Sequence, residues 1–498
     1  IAVTEANKLG IPVVAVTAFA MKEDRERFMS AGFDGYLKLA NPAFARILGY
    51  TQEELLARPF MEYVHPDDRE PLRAVLDELA RGSDIVGFQC RQICADGSVR
   101  WRWAELVENV RLGLDRAFQA GPVASVGVDG WAVDYGLLGG EGRLLSDPHS
   151  YRSPRTEGWR DTARSLGEAD LYRRTGIQLM PINTIFQLAA HDADELARAA
   201  RLVMLPELVA YELTGQVASE RSNAGTTGLL DAATGEWAKD LAQAVGVDPE
   251  ILPPAEPAGR NLGDYRGTPV HLVATHDTAC AFAASPLDSD GRSFVSAGTW
   301  FLVGIERDSA DTSEAARAAN FSNEIGAAGG YRFLKNVTGF WLLEQCAGLW
   351  GTTARELLEL AAEVPEAPVF DVRDERFLAP ARMDEEVRAA AGLSPDASHG
   401  VVVRAIVESV ATGVTRVIEE LRRIQPVKEL VVVGGGSASL FVRERLAEHT
   451  QLPVVAGATE ATALGNALIQ GIALGRFSDL AAGRRWVEPA VLPSALPN

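Results

Sequence analysis

The sequence predicts an α/β protein, and three stretches carry that expectation. "KELVVVGGGSASLFVRERLAEH" (428–449) reads as a buried strand, a glycine turn and a helix, and "VHLVATHDTACAF" (270–282) as a strand running into a helix. "RSFVSAGTWFLVGI" (292–305) reads as a hairpin with a small-residue turn. At 498 residues, 47% hydrophobic and 23% charged, the chain has material for about three domains.

The elements follow in order. The apolar "IPVVAVTAFA" (11–20) predicts a buried strand, followed by an acidic-basic helix and a short second strand up to residue 40. Glu5 and Lys8 precede it without a basic excess, so it is not expected to be a signal peptide. The chain opens on isoleucine, and its true start is expected upstream. Asp96-Gly97 is a hairpin dipeptide after which Val99, Trp101 and Trp103 alternate as in a strand. A helix is expected next, because Leu106, Val110 and Leu114 recur every four residues with Glu105, Glu108 and Arg111 between them. "PVASVGVDGWAVDYGLL" (122–138) predicts a strand pair turning at Asp129-Gly130, and "ILPPAEPAGR" (251–260) a loop.

Composition excludes several functions. The 48 basic and 68 acidic residues leave a net charge of −20, which argues against nucleic acid or an anionic membrane as partner. No apolar run reaches the roughly 18 residues of a membrane span. Cys90, Cys94, Cys280 and Cys346 are too few and scattered for a disulfide framework or a four-cysteine zinc site, so a cytoplasmic location is expected. Cys90 and Cys94 are expected to share one strand face, and the Asp67-Asp68 turn after His65-Pro66 to cap a helix.

Three stretches carry chemistry. In "VVVGGGS", Gly434, Gly435 and Gly436 between strand and helix let backbone approach a phosphate or a base. In "AGTW", Gly298 and the Thr299 hydroxyl stand at a tight turn that can face phosphate. In "THDTA", Asp277 stands where a strand meets a helix, a position for an N-cap or a general base.

These stretches, with "VDGWAVDYGLL", "SYRSPRTEG", "TGIQLMPINTIFQL", "LPELVAYELTG", "LKNVTGFWLLE", "RFLAPARM" and "GATEATALGNALIQG", stand in the order found in sugar kinases of the FGGY type. From Trp101 to about Ala481 the chain resembles that family, and within it the rhamnulokinase branch. The resemblance implies two ribonuclease-H-like domains of the actin-like ATPase class, closing on ATP and sugar. It implies transfer of the γ-phosphoryl of ATP, with Mg2+, to the 1-hydroxyl of L-rhamnulose, with Asp277 as general base. By position in the motifs, Asp129, Trp131, Ala132, His276, Thr278 and Asn336 would meet sugar. Gly298, Thr299, Glu344, Gly434, Gly435 and Gly436 would meet ATP. Metal ligands are not indicated.

The chain departs from that family at several points. Gly130 and Ala132 replace a threonine and a glycine, Glu344 a glutamine, and Ser439 an asparagine. Extra bulk at Ala132 and charge at Glu344 are expected to alter affinity and sugar choice rather than reaction class. The family's "D-L-G-x-S-S-G-R" phosphate loop has no match between Ile1 and Arg100. Instead, residues 11–40 resemble the C-terminal part of a response-regulator receiver domain, with Thr17 at its threonine position, and 41–103 resemble a PAS domain lacking its first strands.

The expected organisation is a receiver fragment (1–40), a truncated PAS fragment (41–103), an N-terminally truncated kinase domain I (104–283), kinase domain II (284–485) and a tail (486–498). Two function classes follow. One is an active kinase in which the PAS hairpin (85–103) replaces the lost strands. The other is an inactive fusion or pseudokinase binding sugar or nucleotide, with a sensor or regulator fragment a further alternative.

Overall fold

The computed structural model describes residues 103–487, except 288–290, 378–379 and 381, together with Tyr63 and three short strands at 13–16, 92–93 and 99–100. The helix of the receiver-like segment, the His65–Asp68 turn, Cys90 and Cys94 lie outside the described residues.

The first domain contains strands β1 (Val13–Val16), β2 (Gln92–Ile93), β3 (Val99–Arg100), β4 (Ser125–Val128), β5 (Tyr135–Leu138), β6 (Arg201–Met204), β7 (Asn261–Tyr265) and β8 (Thr268–His271). Its main sheet has the order β1-β4-β8-β7, parallel at β1/β4 and β4/β8 and antiparallel at β8/β7. Val13 pairs with Ser125 and Val16 with Val128.

Two sequence expectations are corrected here. Among the described residues the strand beside β4 is β1, from the receiver-like segment, while β2 and β3 of the PAS-like hairpin form a sheet of their own. Among the described residues the place beside β4 is thus held by a run of valine and alanine far upstream rather than by the hairpin, since a parallel sheet edge accepts any short strand of matching register. Secondly, β4 and β5 do not pair with each other across Asp129-Gly130, because β5 pairs antiparallel with β6. The chain at Asp129 leaves one sheet and joins another.

The Trp103–Ala120 helix forms as expected. Its buried stripe is Trp103, Val107, Leu114 and Ala117, with Leu106 and Val110 flanking it. That stripe packs with Val126, Val128, Leu208 and Val270 into the first core.

The second domain is a six-stranded sheet of β9 (Arg292–Ala297), β10 (Trp300–Arg307), β11 (Ser322–Ile325), β12 (Tyr331–Thr338), β13 (Glu429–Val433) and β14 (Val454–Ala456), ordered β11-β12-β10-β9-β13-β14. The β9–β10 hairpin and the strand-glycine-helix unit at β13 form as the sequence predicts. Leu430–Val433 are buried, as a parallel strand covered on both faces requires. The long His399–Arg422 helix lays Val402, Ile406, Val410, Val414 and Ile418 into the second core, against Phe301, Val303 and Leu430.

The domains join through two helices, Asp277–Ala283 and Ala461–Ala473. A Cβ at Gly465 would land on the carbonyl oxygen of Cys280, so the helices meet backbone to backbone and only glycine fits. Cys280 and Cys346 are both buried and unpaired. Among the described residues no helix is long and apolar enough to cross a membrane.

Candidate active site

Asp277 is the first residue of its helix, and the cap position belongs to His276, whose side chain makes no cap bond. The carboxylate is thus not spent as an N-cap. Its Oδ1 accepts from the Thr278 N–H at 2.5 Å and the Thr278 hydroxyl at 3.1 Å. The side chain stays 39% exposed. Desolvation pushes its pKa up to about 6; the Thr278 bonds and Arg332 oppose the shift, and Glu324 adds to it. Such a carboxyl is ionised at neutral pH yet more basic than a free aspartate, which suits a general base.

The Asp277 turn is tied to the Asp129–Ala132 turn by backbone. The Gly130 N–H donates to the Thr275 carbonyl at 3.0 Å, and the Asp277 N–H to the Gly130 carbonyl at 2.8 Å. Trp131 and Ala132 beside it are half-buried, and the Trp131 Nε1–H donates to Asp134 at 2.9 Å. Val133 has φ +70°, an uncommon conformation for a β-branched residue. Its carbonyl accepts from the Thr184 hydroxyl at 2.8 Å and from Gln187 at 3.1 Å, contacts that hold the strained backbone in place.

Behind the turn lies a buried charge network. Arg332, with 0% of its side chain exposed, donates to Nδ1 of His276 at 3.0 Å and lies 3.1 Å from the Glu324 carboxylate. That bond places the imidazole proton on Nε2, which is 3.5 Å from Asp277 Oδ1. Burial, then the Arg332 charge, holds His276 well below the usual histidine range, so it is neutral. On the other side of the turn, the Thr275 hydroxyl donates to Glu207 at 2.7 Å and the Thr275 N–H to Glu220 at 3.1 Å. Burial raises both carboxyls, Glu207 to about 7.

Asp129 is fully buried and accepts from Asn466 at 2.5 Å, an amide supplied by the Ala461–Ala473 helix. Its Oδ1 has no hydrogen-bond partner among the described residues, and desolvation raises its pKa well above the carboxylate range. Asn336 on β12 reaches the first domain, where its amide donates to Gln178 at 3.3 Å. It shares a face of β12 with Arg332, roughly 13 Å farther along the strand. Backbone bonds thus join the Asp129–Ala132 turn to Asp277, and Arg332 links His276 to the strand that carries Asn336.

The expected nucleotide residues meet at one end of the second sheet. β9 and β13 run parallel, with Ser296 opposite Val433, so the "AGTW" and "GGGS" turns leave adjacent strand ends. Gly434 has φ +82°, and a Cβ on Gly436 would come within 2.6 Å of the Ala297 Cβ. Nothing lies within 4 Å of a Cβ built on Gly435, so that glycine faces open space. Ser439, the departure from the family pattern, caps the next helix by accepting from the Val442 N–H. The Phe340 and Trp341 N–H groups donate to the Gly298 and Thr299 carbonyls, each at 3.0 Å. The Thr299 hydroxyl donates to Glu344, at 3.1 Å to its nearer oxygen. Glu344 is pushed up by burial and drawn back by Thr299 and Arg152.

Sequence reasoning missed Arg332, Glu324 and Asn466. Arg332 stands in "YRFLKNVT" with no spacing to mark it as a buried partner of a histidine 56 residues away. The signal for Asn466 was its place in "GATEATALGNALIQG", without its direction.

The N-terminal domain model of the FGGY family of carbohydrate kinases matches residues 92–272 and the C-terminal domain model residues 294–474. A PAS fold model matches residues 38–107, so PAS and kinase matches overlap at 92–107. Curated relatives include a rhamnulokinase of Pectobacterium carotovorum, 38% identical over 429 residues, covering 83% of this chain and 85% of the relative. Another, from Bacteroides thetaiotaomicron, is 34% identical and covers 84% of this chain and 92% of the relative. Among solved structures, a ligand-bound xylulose kinase from Lactobacillus acidophilus matches with a TM-score of 0.68 at 16% identity, covering 84% of this chain and 89% of that one. A Plasmodium falciparum glycerol kinase with ADP matches at 0.66 and 14%, covering 83% and 90%. At these identities the structures speak for the two-domain fold alone.

Proposed function

The chain belongs to the FGGY family of carbohydrate kinases, and from that premise we propose that it phosphorylates the 1-hydroxyl of L-rhamnulose with MgATP, Asp277 taking the proton. The observation that carries the assignment of the base is the Asp277 carboxyl itself. It is part exposed, raised to about 6 and held by Thr278.

The sugar oxygen attacks the γ-phosphorus, the bond from that phosphorus to the β-bridging oxygen breaks, and the hydroxyl proton passes to Asp277. ADP leaves with the electron pair. A sugar hydroxyl is a weak nucleophile, and phosphoryl transfer depends chiefly on alignment and charge neutralisation. Neutral His276, oriented by Arg332, faces Asp277 with an N–H and stabilises the carboxylate without competing for the proton. The "AGTW" and "GGGS" turns supply backbone donors for the phosphates. Magnesium enters as part of MgATP, held mainly by phosphate oxygens and water. L-Rhamnulose as substrate is supported by the relatives named above, each a rhamnulokinase.

With no counterpart of the first phosphate loop between Ile1 and Arg100, the proposal includes a reduced transfer rate. ADP release with MgATP, with and without L-rhamnulose, tests the function. Sugar-dependent release is expected; soluble, folded protein that releases no ADP above background would overturn it in favour of a non-catalytic binding protein.

A further inference from the structure

We propose that Arg152 is a phosphate-binding residue of the nucleotide site, its guanidinium reaching across the cleft to the β- and γ-phosphates of ATP; this rests on the kinase function proposed above. Arg152 lies in the first domain, in the loop after β5. Its Cζ stands 4.3 Å from the ring centroid of Trp341, the first residue of the Trp341–Trp350 helix in the second domain. The Trp341 N–H donates to the Thr299 carbonyl, so the ring beneath the guanidinium is built onto the nucleotide turn.

Besides Trp341, the guanidinium lies over the neighbouring Tyr151 ring at 5.1 Å, and among the described residues its N–H groups are not engaged. Among the described residues it makes no hydrogen bond or ion pair, and only the Arg152 backbone N–H is engaged, by Ser150. Arg155, three residues on, shows the contrast: its guanidinium is committed to Gln187 at 2.7 Å and His191 at 3.2 Å. A half-buried arginine with an open fork of five donors, fixed by an aromatic ring, is preorganised for a phosphate.

Charge points the same way. Glu344, on the same helix as Trp341, holds the Thr299 hydroxyl and places a carboxylate where a polyanion would bind. Arg152 is the cation that acts on Glu344. A guanidinium there offsets both the carboxylate and the phosphate charge.

Calorimetric titration of the full chain with AMP, ADP and the non-hydrolysable AMP-PNP, each with Mg2+, tests this without turnover. For Arg152→Gln, AMP affinity is expected to stay within about twofold while AMP-PNP affinity falls at least about tenfold. Arg152→Lys, which keeps the charge but not the fork, is expected to lie between. If wild type prefers AMP-PNP to AMP and Arg152→Gln keeps that ratio, Arg152 is only a contact between the domains and the proposal falls while the kinase function stands. If wild type shows no preference for AMP-PNP, both fall.

Discussion

Arg332 donates to Nδ1 of His276 at 3.0 Å, and that one bond decides which face the imidazole turns to Asp277. A side chain on β12 of the second domain thereby sets the proton position beside a carboxylate whose helix begins at the boundary of the first.

Asp277→Asn is expected to abolish sugar-dependent turnover while leaving ADP binding within about twofold. In the wild type, kcat/KM should fall below pH 6 as the base is protonated, since its folded pKa is about 6. The same shift has a stability consequence. Between its ordinary value of 3.8 and about 6 the folded carboxyl binds more proton than the unfolded one, so its contribution to stability declines as pH rises through that window. Asp277→Asn should therefore raise the melting temperature modestly at pH 8 and not at pH 4. Its partial exposure limits the gain to about 1 kcal/mol. A melting temperature lowered by Asp277→Asn at pH 8 would contradict this.

Arg332→Met should be severe, because it strands the buried Glu324 carboxylate 3.1 Å away without a counter-charge. A loss of about 3–5 kcal/mol is expected. Pairing it with Glu324→Gln should recover much of that loss in urea unfolding followed by tryptophan fluorescence, whereas turnover should stay low because His276 has lost its orienting donor. Independent, additive losses would deny the coupling.

Two glycines separate packing from ligand approach. Gly465→Ala puts a methyl onto the Cys280 carbonyl and should cost at least about 1–3 kcal/mol by forcing the two joining helices apart. Gly435→Ala has open space around it and should leave the melting temperature unchanged, while raising KM for MgATP by crowding the ligand. Equal effects on stability would be inconsistent with this packing.

β1 is expected to matter although it lies far from the kinase segments in sequence. Ala15→Pro removes a backbone donor from a strand paired residue for residue with Ser125–Val128 and should expose the edge of β4. Size-exclusion chromatography should show a larger aggregated fraction than for wild type; an unchanged profile would mean the pairing contributes little.

Much of this protein was determined by sequence alone, namely the features that depend on neighbours along the chain. "VVVGGGS" makes its strand and turn because β-branched residues and glycines dictate local backbone, and "THDTA" starts a helix at Asp277. The ordered motifs likewise pointed to the family. Only the tertiary structure decided what those residues touch. Asp129 reads as a turn residue in sequence, yet it is buried under Asn466, 337 residues away, and β4 takes its neighbour from Val13–Val16 rather than from the nearer hairpin. Arg332 likewise turns inward to His276 because its sheet is closed over by the other domain. Such partners are selected by burial, where an unpaired charge or amide is costly and must find whatever the fold brings near. Sequence spacing carries no record of that choice.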